Sequence, residues 1–144
     1  MNYGRASGGE SRASTVALVD AFFDRVGGSQ FFVDLIDRFY MGVAGDPLLR
    51  PLYPESLDES KAHLALFLMQ YWGGPATYNE QRGHPRLRMR HMPFVIGPAE
   101  RDAWLRHMDD AVAHMVSESR LSESDAAELR DYLTMAAGQL VNAP

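Results

Sequence analysis

The sequence contains no cysteine among its 144 residues. Disulfide bonds, thiolate metal sites, iron–sulfur clusters and thiol nucleophiles are therefore excluded. It also has no apolar run near the roughly 18 residues that a membrane span requires. Residues 1–15 lack the apolar stretch of a signal peptide and are rich in Gly and Ser. We therefore expect a flexible tail over 1–15, one domain over 16–144, and a cytoplasmic protein with no membrane partner.

Positive charge is scarce overall. The chain has 14 Lys and Arg residues against 19 Asp and Glu, which gives a net charge of −5. Nucleic-acid-binding domains are usually basic, so this balance argues against a nucleic-acid partner. Apolar residues make up 46% of the chain. That share is typical of a globular domain with a buried core and not of a disordered chain.

Apolar residues recur three and four positions apart along most of the chain, which predicts helices. No segment alternates with a period of two, so no sheet is expected, and the predicted fold class is all-α. A short helix is expected over residues 16–25, ending at Gly27 and Gly28. Four major apolar stripes follow, at 32–43, 60–72, 99–117 and 123–140.

Helix boundaries can also be predicted from capping residues and prolines. Ser29, Asp58 and Ser122 are candidate N-caps, and Pro98 is suited to the first turn of a helix. Residues 76–97 are polar and rich in Arg and Pro, and we expect an extended connection there. Connections of that length in a compact domain are often functional.

The segment QRGHPRLRMRHMPF, residues 81–94, holds four arginines and two histidines in an otherwise acidic chain. A heme needs only one protein histidine, because the porphyrin supplies four nitrogen ligands. Its two propionates attract arginine, whose planar guanidinium matches a carboxylate. An arginine-rich segment containing a histidine, in a helical chain rich in apolar residues, therefore suits heme.

From these residues alone a plainer interpretation remains open. Arginine-rich loops are usually solvated surfaces, and single histidines are usually structural. A metal site built only from protein ligands is disfavoured, because no H-E-x-x-H pattern occurs and the histidines have no zinc-like spacing. The five histidines are His63, His84, His91, His107 and His114.

Several segments together resemble the group II, or O-type, truncated hemoglobins, a bacterial globin family. The longest are QYWGGPATYNEQRGHPRLRMRHMPF and, one residue later in the chain, IGPAERDAWLRHMDDAV. RFY at 38–40, LYP at 52–54 and YLTMAAGQLVN at 132–142 lie in the same order with similar spacing. The resemblance covers about residues 24–142. It implies a shortened globin fold, a two-over-two sandwich of antiparallel helix pairs around heme b (iron protoporphyrin IX). The stripes at 32–43 and 60–72 would form one pair, and those at 99–117 and 123–140 the other.

The resemblance also implies roles for individual residues. His91 corresponds to the proximal iron ligand, and Tyr40, Tyr53 and Trp104 to the polar groups that stabilise a bound ligand. The heme-pocket positions correspond to Ser60, Leu64, Phe67, Leu68, Phe94 and Met108. Propionate contacts are expected from Tyr78, His63, Arg86, Arg88 and Arg90, although His63 stands where the family has a longer basic residue.

The function implied is binding of dioxygen, carbon monoxide, nitric oxide and similar small ligands, with oxygen transport as one use. Tyrosine and tryptophan donors stabilise the partial negative charge on bound oxygen, so slow oxygen release is expected. The alternative is a heme redox enzyme, either a nitric oxide dioxygenase or a weak peroxidase, served by a separate reductase. A further alternative is a heme-free module whose arginine run, 82–90, binds an acidic partner or RNA. The protein could be a monomer or a homodimer.

Overall fold

The computed structural model describes residues 21–144 of the chain. Within them lie seven α-helices and one 3-10 helix, with no β-strand, which confirms the predicted all-α fold class. The expected tail over 1–15 lies outside the described residues. The helices are α1 (Phe22–Arg25), α2 (Ser29–Ala44), the 3-10 helix (Arg50–Leu52), α3 (Asp58–Tyr71), α4 (Thr77–Arg82), α5 (Leu87–His91), α6 (Pro98–Ser117) and α7 (Glu123–Gln139).

Helix α2 lies at the centre of the packing, because it contacts both α3 and α6, and α6 in turn packs on α7. The predicted pairs, α2 with α3 and α6 with α7, are therefore confirmed. Seven of the sixteen residues of α2 are buried, at the spacing of three and four that the sequence predicts. They are Phe31, Phe32, Leu35, Ile36, Phe39, Tyr40 and Val43.

The capping predictions were correct at one helix and wrong at two. Ser122 is the N-cap of α7, and its hydroxyl accepts a hydrogen bond from the Asp125 amide at 3.0 Å. Ser29 is instead the first residue of α2, because Gly28 adopts the cap position with a φ of 81° that favours glycine. Asp58 is likewise the first residue of α3, after Leu57 at the cap. In this position the negative charge of Asp58 interacts favourably with the positive end of the α3 helix dipole.

The predicted helix over residues 16–25 is not continuous. Helix α1 begins only at Phe22, because Ala21 has an extended backbone with φ −64° and ψ 151°. Residues 16–20 lie outside the described part of the chain. The Phe23 amide donates to the Trp72 carbonyl at 3.0 Å, and the Phe22 ring lies 4.4 Å from the Trp72 ring. These tertiary contacts with the end of α3 set the start of α1, and the apolar spacing alone did not predict them.

The connection over residues 76–97 is more structured than predicted, because it contains α4 and α5. Helix α4 has a single buried residue, Tyr78, so it carries no apolar stripe for the sequence to show. It is held against α3 by a pair of side-chain hydrogen bonds. The Asn79 amide donates to Gln70 Oε1 at 2.9 Å, and Gln70 Nε2 donates to Asn79 Oδ1 at 3.0 Å.

None of the helices within residues 21–144 combines the length and the apolar character needed to cross a membrane.

Candidate functional site

Three polar aromatic side chains converge from three separate elements, and we call Tyr40, Tyr53 and Trp104 the distal cluster. Tyr40 lies on α2 and is only 3% exposed, Tyr53 follows the 3-10 helix, and Trp104 lies on α6. The Tyr40 and Tyr53 rings meet edge to face at 5.5 Å. Phe39 packs against both Tyr40, at 4.9 Å, and Trp104, at 5.1 Å. The fold thus brings together the three residues that the sequence grouped.

Burial makes both tyrosines of the distal cluster weak acids. It raises the pKa of Tyr40, and the neighbouring Tyr53 raises it further. Burial also raises the pKa of Tyr53, while hydrogen bonding from the Tyr40 and Trp104 side chains acts in the opposite direction. Both phenols therefore stay protonated near neutral pH. A protonated phenol can donate one hydrogen bond, so each tyrosine of the distal cluster is a candidate donor.

The corner that carries Tyr53 is fixed by Arg50. The guanidinium of Arg50 donates to the carbonyls of Tyr53 at 3.4 Å and Pro54 at 2.8 Å, and also to the Glu55 carbonyl. Charged donors form stronger hydrogen bonds than neutral ones. Three successive carbonyls held by one side chain give the extended residues after the 3-10 helix a defined position.

The start of the same corner is tied to α6 through Asp46. Its Oδ1 accepts from the Leu48 amide at 2.8 Å, and its Oδ2 accepts from His107 Nε2 at 2.7 Å. The His107 bond is the largest cause of the lowered pKa of Asp46. His107 reaches this position by lying over Gly42, where an added Cβ would come within 2.3 Å of the ring Nδ1. The 3-10 corner and α6 are therefore held in one arrangement.

The apolar side chains of α3 differ in how deeply they are buried. Ala65, Leu68 and Met69 are buried, whereas Leu64 and Phe67 are only partly buried. Of the other predicted pocket residues, Ser60 is half-buried at the start of α3 and Met108 is fully buried in the core. Leu64 and Phe67 pack against the core and still leave part of their apolar surface exposed.

His91 is the last residue of the five-residue helix α5, and its ring is held by the backbone of that helix. Its Nδ1 lies 2.6 Å from the Leu87 carbonyl oxygen. A carbonyl can only accept, so Nδ1 is the protonated nitrogen and Nε2 carries the lone pair. This is the tautomer that a metal-binding histidine needs.

We call residues 83–97 the proximal segment, and the three predicted arginines in it differ in their surroundings. Arg86 is exposed and has the left-handed backbone, with φ 45°, at the start of α5. Arg88 is also exposed. Arg90 donates instead to backbone carbonyls, to Pro85 at 2.8 Å and to Arg82 at 2.9 Å. Its guanidinium therefore stabilises the turn before α5.

Arg82, which the sequence reasoning did not select, lies beside two residues that it did. Arg82 Nη1 donates to His63 Nε2 at 2.9 Å, and its guanidinium lies 5.8 Å from the centre of the Tyr78 ring. Its Nε is buried and has no hydrogen-bond partner. Burial and the Arg82 charge lower the pKa of His63. The signal available in the sequence was the position of Arg82 four residues after Tyr78, which places both on one face of a helix.

The residues around His91 are unusually apolar for an exposed segment. Met92 is 69% exposed and Phe94 41%, and the Phe94 ring lies 6.5 Å from the imidazole. Met89 and Val95 are also exposed. The predicted pocket residue Phe94 is therefore near His91 but has no enclosing apolar surroundings within the protein itself.

Comparison with known proteins gives a consistent picture. The family model of bacterial-like globins matches residues 21–138. The chain is 45% identical over 96 residues to group 2 truncated hemoglobin YjbI of Bacillus subtilis, a match that covers 67% of this chain and 73% of that protein.

Two solved hemoglobin structures superpose well on this chain. The thermostable hemoglobin of the actinobacterium Thermobifida fusca superposes with a TM-score of 0.82 at 52% identity, covering 87% of this chain and 99% of that one. The truncated oxygen-avid haemoglobin of Bacillus subtilis superposes with a TM-score of 0.79 at 39% identity, covering 85% of this chain and 100% of that one.

Proposed function

Because the chain belongs to the group II truncated hemoglobins, within the bacterial-like globins, we propose that it binds dioxygen at a heme whose iron is ligated by His91. The family supports a heme globin that binds oxygen. The identity of the ligand histidine, slow oxygen release and the roles of single residues are our proposals. The observation that carries the proposal is the His91 Nδ1 contact with the Leu87 carbonyl, which leaves Nε2 as a free ligand atom.

The residues present fit a heme in three respects. His91 supplies one imidazole nitrogen in the required tautomer. Leu64 and Phe67 supply partly exposed apolar surface. The buried, unpartnered Nε of Arg82 supplies a donor that a propionate carboxylate would satisfy. Because the chain has no cysteine, thioether attachment is excluded, and we propose the non-covalent heme b.

We propose that Arg82, with Tyr78 and His63, forms the propionate contact. A carboxylate beside Arg82 would receive charge-assisted hydrogen bonds. His63 accepts from Arg82 and is therefore neutral in this arrangement, so it orients the guanidinium and adds no second charge. Arg86 and Arg88 are exposed, and we assign them no direct contact.

The bound heme supplies an iron atom to which a diatomic ligand can attach. The distal cluster supplies the hydrogen-bond donors for that ligand. Dioxygen draws electron density from iron and gains from such donors, whereas carbon monoxide carries less charge and gains less. Tyr40, Tyr53 and Trp104 are the three candidate donors, because two phenols and an indole N–H lie together in the distal cluster. We therefore propose slow oxygen release with a smaller effect on carbon monoxide.

The acid–base properties of the distal cluster favour binding over peroxidase chemistry. General acid–base catalysis works best with a group whose pKa lies near the working pH. The pKa values of Tyr40 and Tyr53 are both raised by burial, away from neutrality. These side chains are suited to donate hydrogen bonds and poorly suited to exchange protons. Nitric oxide dioxygenation, which needs a separate reductase, remains the alternative use of the same site.

The test of the proposal is the absorption spectrum of the purified protein, reduced and then exposed to dioxygen or carbon monoxide. We expect a strong Soret band that shifts with each ligand. His91→Ala should abolish or strongly alter the band. His84→Ala is the matched control, because His84 is an exposed histidine in the same segment. A wild-type protein that takes up no added hemin, or a His91→Ala variant with an unchanged spectrum, would refute the proposal.

A further inference from the structure

The C-terminal segment, residues 141–144, lies against the proximal segment instead of extending into solvent. The Asn142 and Ala143 amides donate to the Ile96 carbonyl at 2.8 and 3.1 Å. At Gly97 an added Cβ would lie 3.3 Å from the Pro144 carbonyl oxygen. These contacts join residues far apart in the sequence, so they position the proximal segment relative to the end of α7.

Within the C-terminal segment, the side chain of Asn142 contacts the backbone of His91 and of residues just after it. Its Nδ2 donates to the carbonyl of His91 itself, at 3.3 Å, and to the Phe94 carbonyl at 2.9 Å. Its Oδ1 accepts from the Ile96 amide at 2.8 Å. One amide side chain thus satisfies three backbone groups within six residues. Only asparagine or glutamine can be donor and acceptor in this way, and at this backbone position glutamine would be one methylene too long.

Apart from Asn142, the helix that carries His91 is held by Arg90, which donates to the Pro85 and Arg82 carbonyls, and not by apolar burial. Helix α5 has five residues and none of them is buried. An isolated helix of that length is unstable in water. Helix α7, by contrast, has 17 residues and buries Ala126, Leu129, Leu133 and Ala137. Asn142 therefore connects the backbone of His91 to a helix that is anchored in the core.

From this geometry we propose that Asn142 is a positioning residue for the iron ligand, which sets the orientation and distance of His91 relative to the heme. This inference rests on the proposed function. Since iron–histidine bonding depends on how the imidazole is presented, the strength of that bond becomes a property of the C-terminal segment as well as of α5.

The test compares Asn142→Asp with Gln139→Glu in the heme-loaded protein. Asn142→Asp keeps the oxygen that accepts from Ile96 but places a second, negatively charged oxygen against two carbonyls. Gln139→Glu makes the same amide-to-carboxylate change at an exposed position three residues earlier. Asn142→Ala removes the three side-chain contacts without adding charge, so it replaces Asn142→Asp if the charged variant does not fold.

The first readout is the iron–histidine stretching band in the resonance Raman spectrum of the ferrous protein. We expect the band to shift and broaden in Asn142→Asp, to a smaller extent in Asn142→Ala, and not in Gln139→Glu. Heme transfer to an acceptor globin should be about tenfold faster in Asn142→Asp, as the loss of one or two hydrogen bonds implies. A purely structural role at the C-terminus would lower thermal stability without moving the band.

A second readout does not depend on heme. Exchange of the Ile96 amide hydrogen, followed by NMR in the heme-free protein, should become faster in Asn142→Ala, which removes the accepting oxygen, and remain unchanged in Gln139→Glu. Heme uptake with an unchanged iron–histidine band in Asn142→Asp and Asn142→Ala would overturn the inference and leave the proposed function intact. A wild-type protein that binds no heme would instead overturn the proposed function.

Discussion

The two sides of the candidate site are built in different ways. The distal cluster is carried by α2, α6 and the 3-10 corner, and Phe39, which packs beneath it, is completely buried. The proximal segment presents His91 from a helix without buried residues, next to Met92 and Phe94, which remain exposed. Apolar burial holds α2 and α6 on the first side, and Arg50 and Asp46 bond the corner between them, whereas the second side relies on hydrogen bonds to backbone groups.

This difference indicates which side of the site depends on the cofactor for its order. A buried aromatic side chain stabilises the folded chain whether or not heme is bound. Hydrogen bonds in an exposed segment contribute little net free energy, because water competes for the same groups. We therefore expect the distal cluster to be preformed and the proximal segment to gain order when heme binds. Four predictions test this contrast between the two sides.

The first prediction compares two phenylalanines, one on each side. Phe39→Ala should lower the free energy of unfolding by about 3–5 kcal/mol, because it removes a fully buried ring. Phe94→Ala should change it by no more than about 0.5 kcal/mol in the heme-free protein, since the ring is largely exposed. Denaturant unfolding followed by circular dichroism measures both. Equal losses would show that the proximal segment is packed as firmly as the core.

The second prediction concerns oxygen release. Tyr53→Phe should raise the oxygen dissociation rate by about tenfold, because it removes one of the hydroxyls that we propose donate to the ligand. Tyr40→Phe and Trp104→Phe should each raise it by about tenfold. Carbon monoxide dissociation should change less in every case. Tyr71→Phe, at an exposed position outside the cluster, is the control. Unchanged rates in all three variants would show that the distal donors do not act on the ligand.

The third prediction separates the arginines. Arg82→Met should accelerate heme loss to an acceptor globin by about tenfold, because it removes a charged donor from the proposed propionate contact. Arg86→Met should change that rate by less than about twofold, as expected for a solvated side chain. If Arg86→Met had the larger effect, the propionates would be bound by the exposed side of the proximal segment.

The fourth prediction concerns pH. Burial, followed by the Arg82 charge, lowers the pKa of His63 from its ordinary value of 6.5. Below that value the unfolded chain takes up a proton that the folded protein resists, so the free energy of unfolding should fall as the pH decreases. Unfolding at a series of pH values from about 7.5 to about 5.5 spans this range. His63→Gln should flatten the slope, whereas His84→Gln, at an exposed position, should not.

The long helices were predictable from the sequence, and the short ones were not. Helix α2 buries residues at the helical period, so its apolar stripe was visible in the sequence. Helix α4 buries only Tyr78 and is held by side-chain bonds between Gln70 and Asn79. Such bonds join residues on different helices, and no local sequence pattern predicts them. Local sequence also failed to predict two N-caps. The N-cap residues of α2 and α3 are Gly28 and Leu57, and not Ser29 and Asp58.

In the candidate site, too, some features were predictable from the sequence and others were not. Tyr40 and Trp104 lie on long helices that pack together, α2 and α6, and Phe39 contacts both rings. The surroundings of the arginines could not be predicted, because they depend on the turn between α4 and α5. Gly83 has a φ of 76° and Arg86 a φ of 45°, a left-handed backbone that no apolar pattern indicates. Arg82, before this turn, lies beside His63, whereas Arg86, at its end, is exposed.

The sequence alone predicted the all-α fold class, the four long helices and, through the family resemblance, a set of candidate heme residues. Helical periodicity and residue type are local properties, and burial of the resulting apolar faces leaves few ways to pack them. The packed chain added the position of Arg82 beside His63 and the bond from Asn142 to the His91 carbonyl. Those outcomes depend on hydrogen bonds between distant parts of the chain, such as those of Asn142. Such bonds form only after the helices have packed.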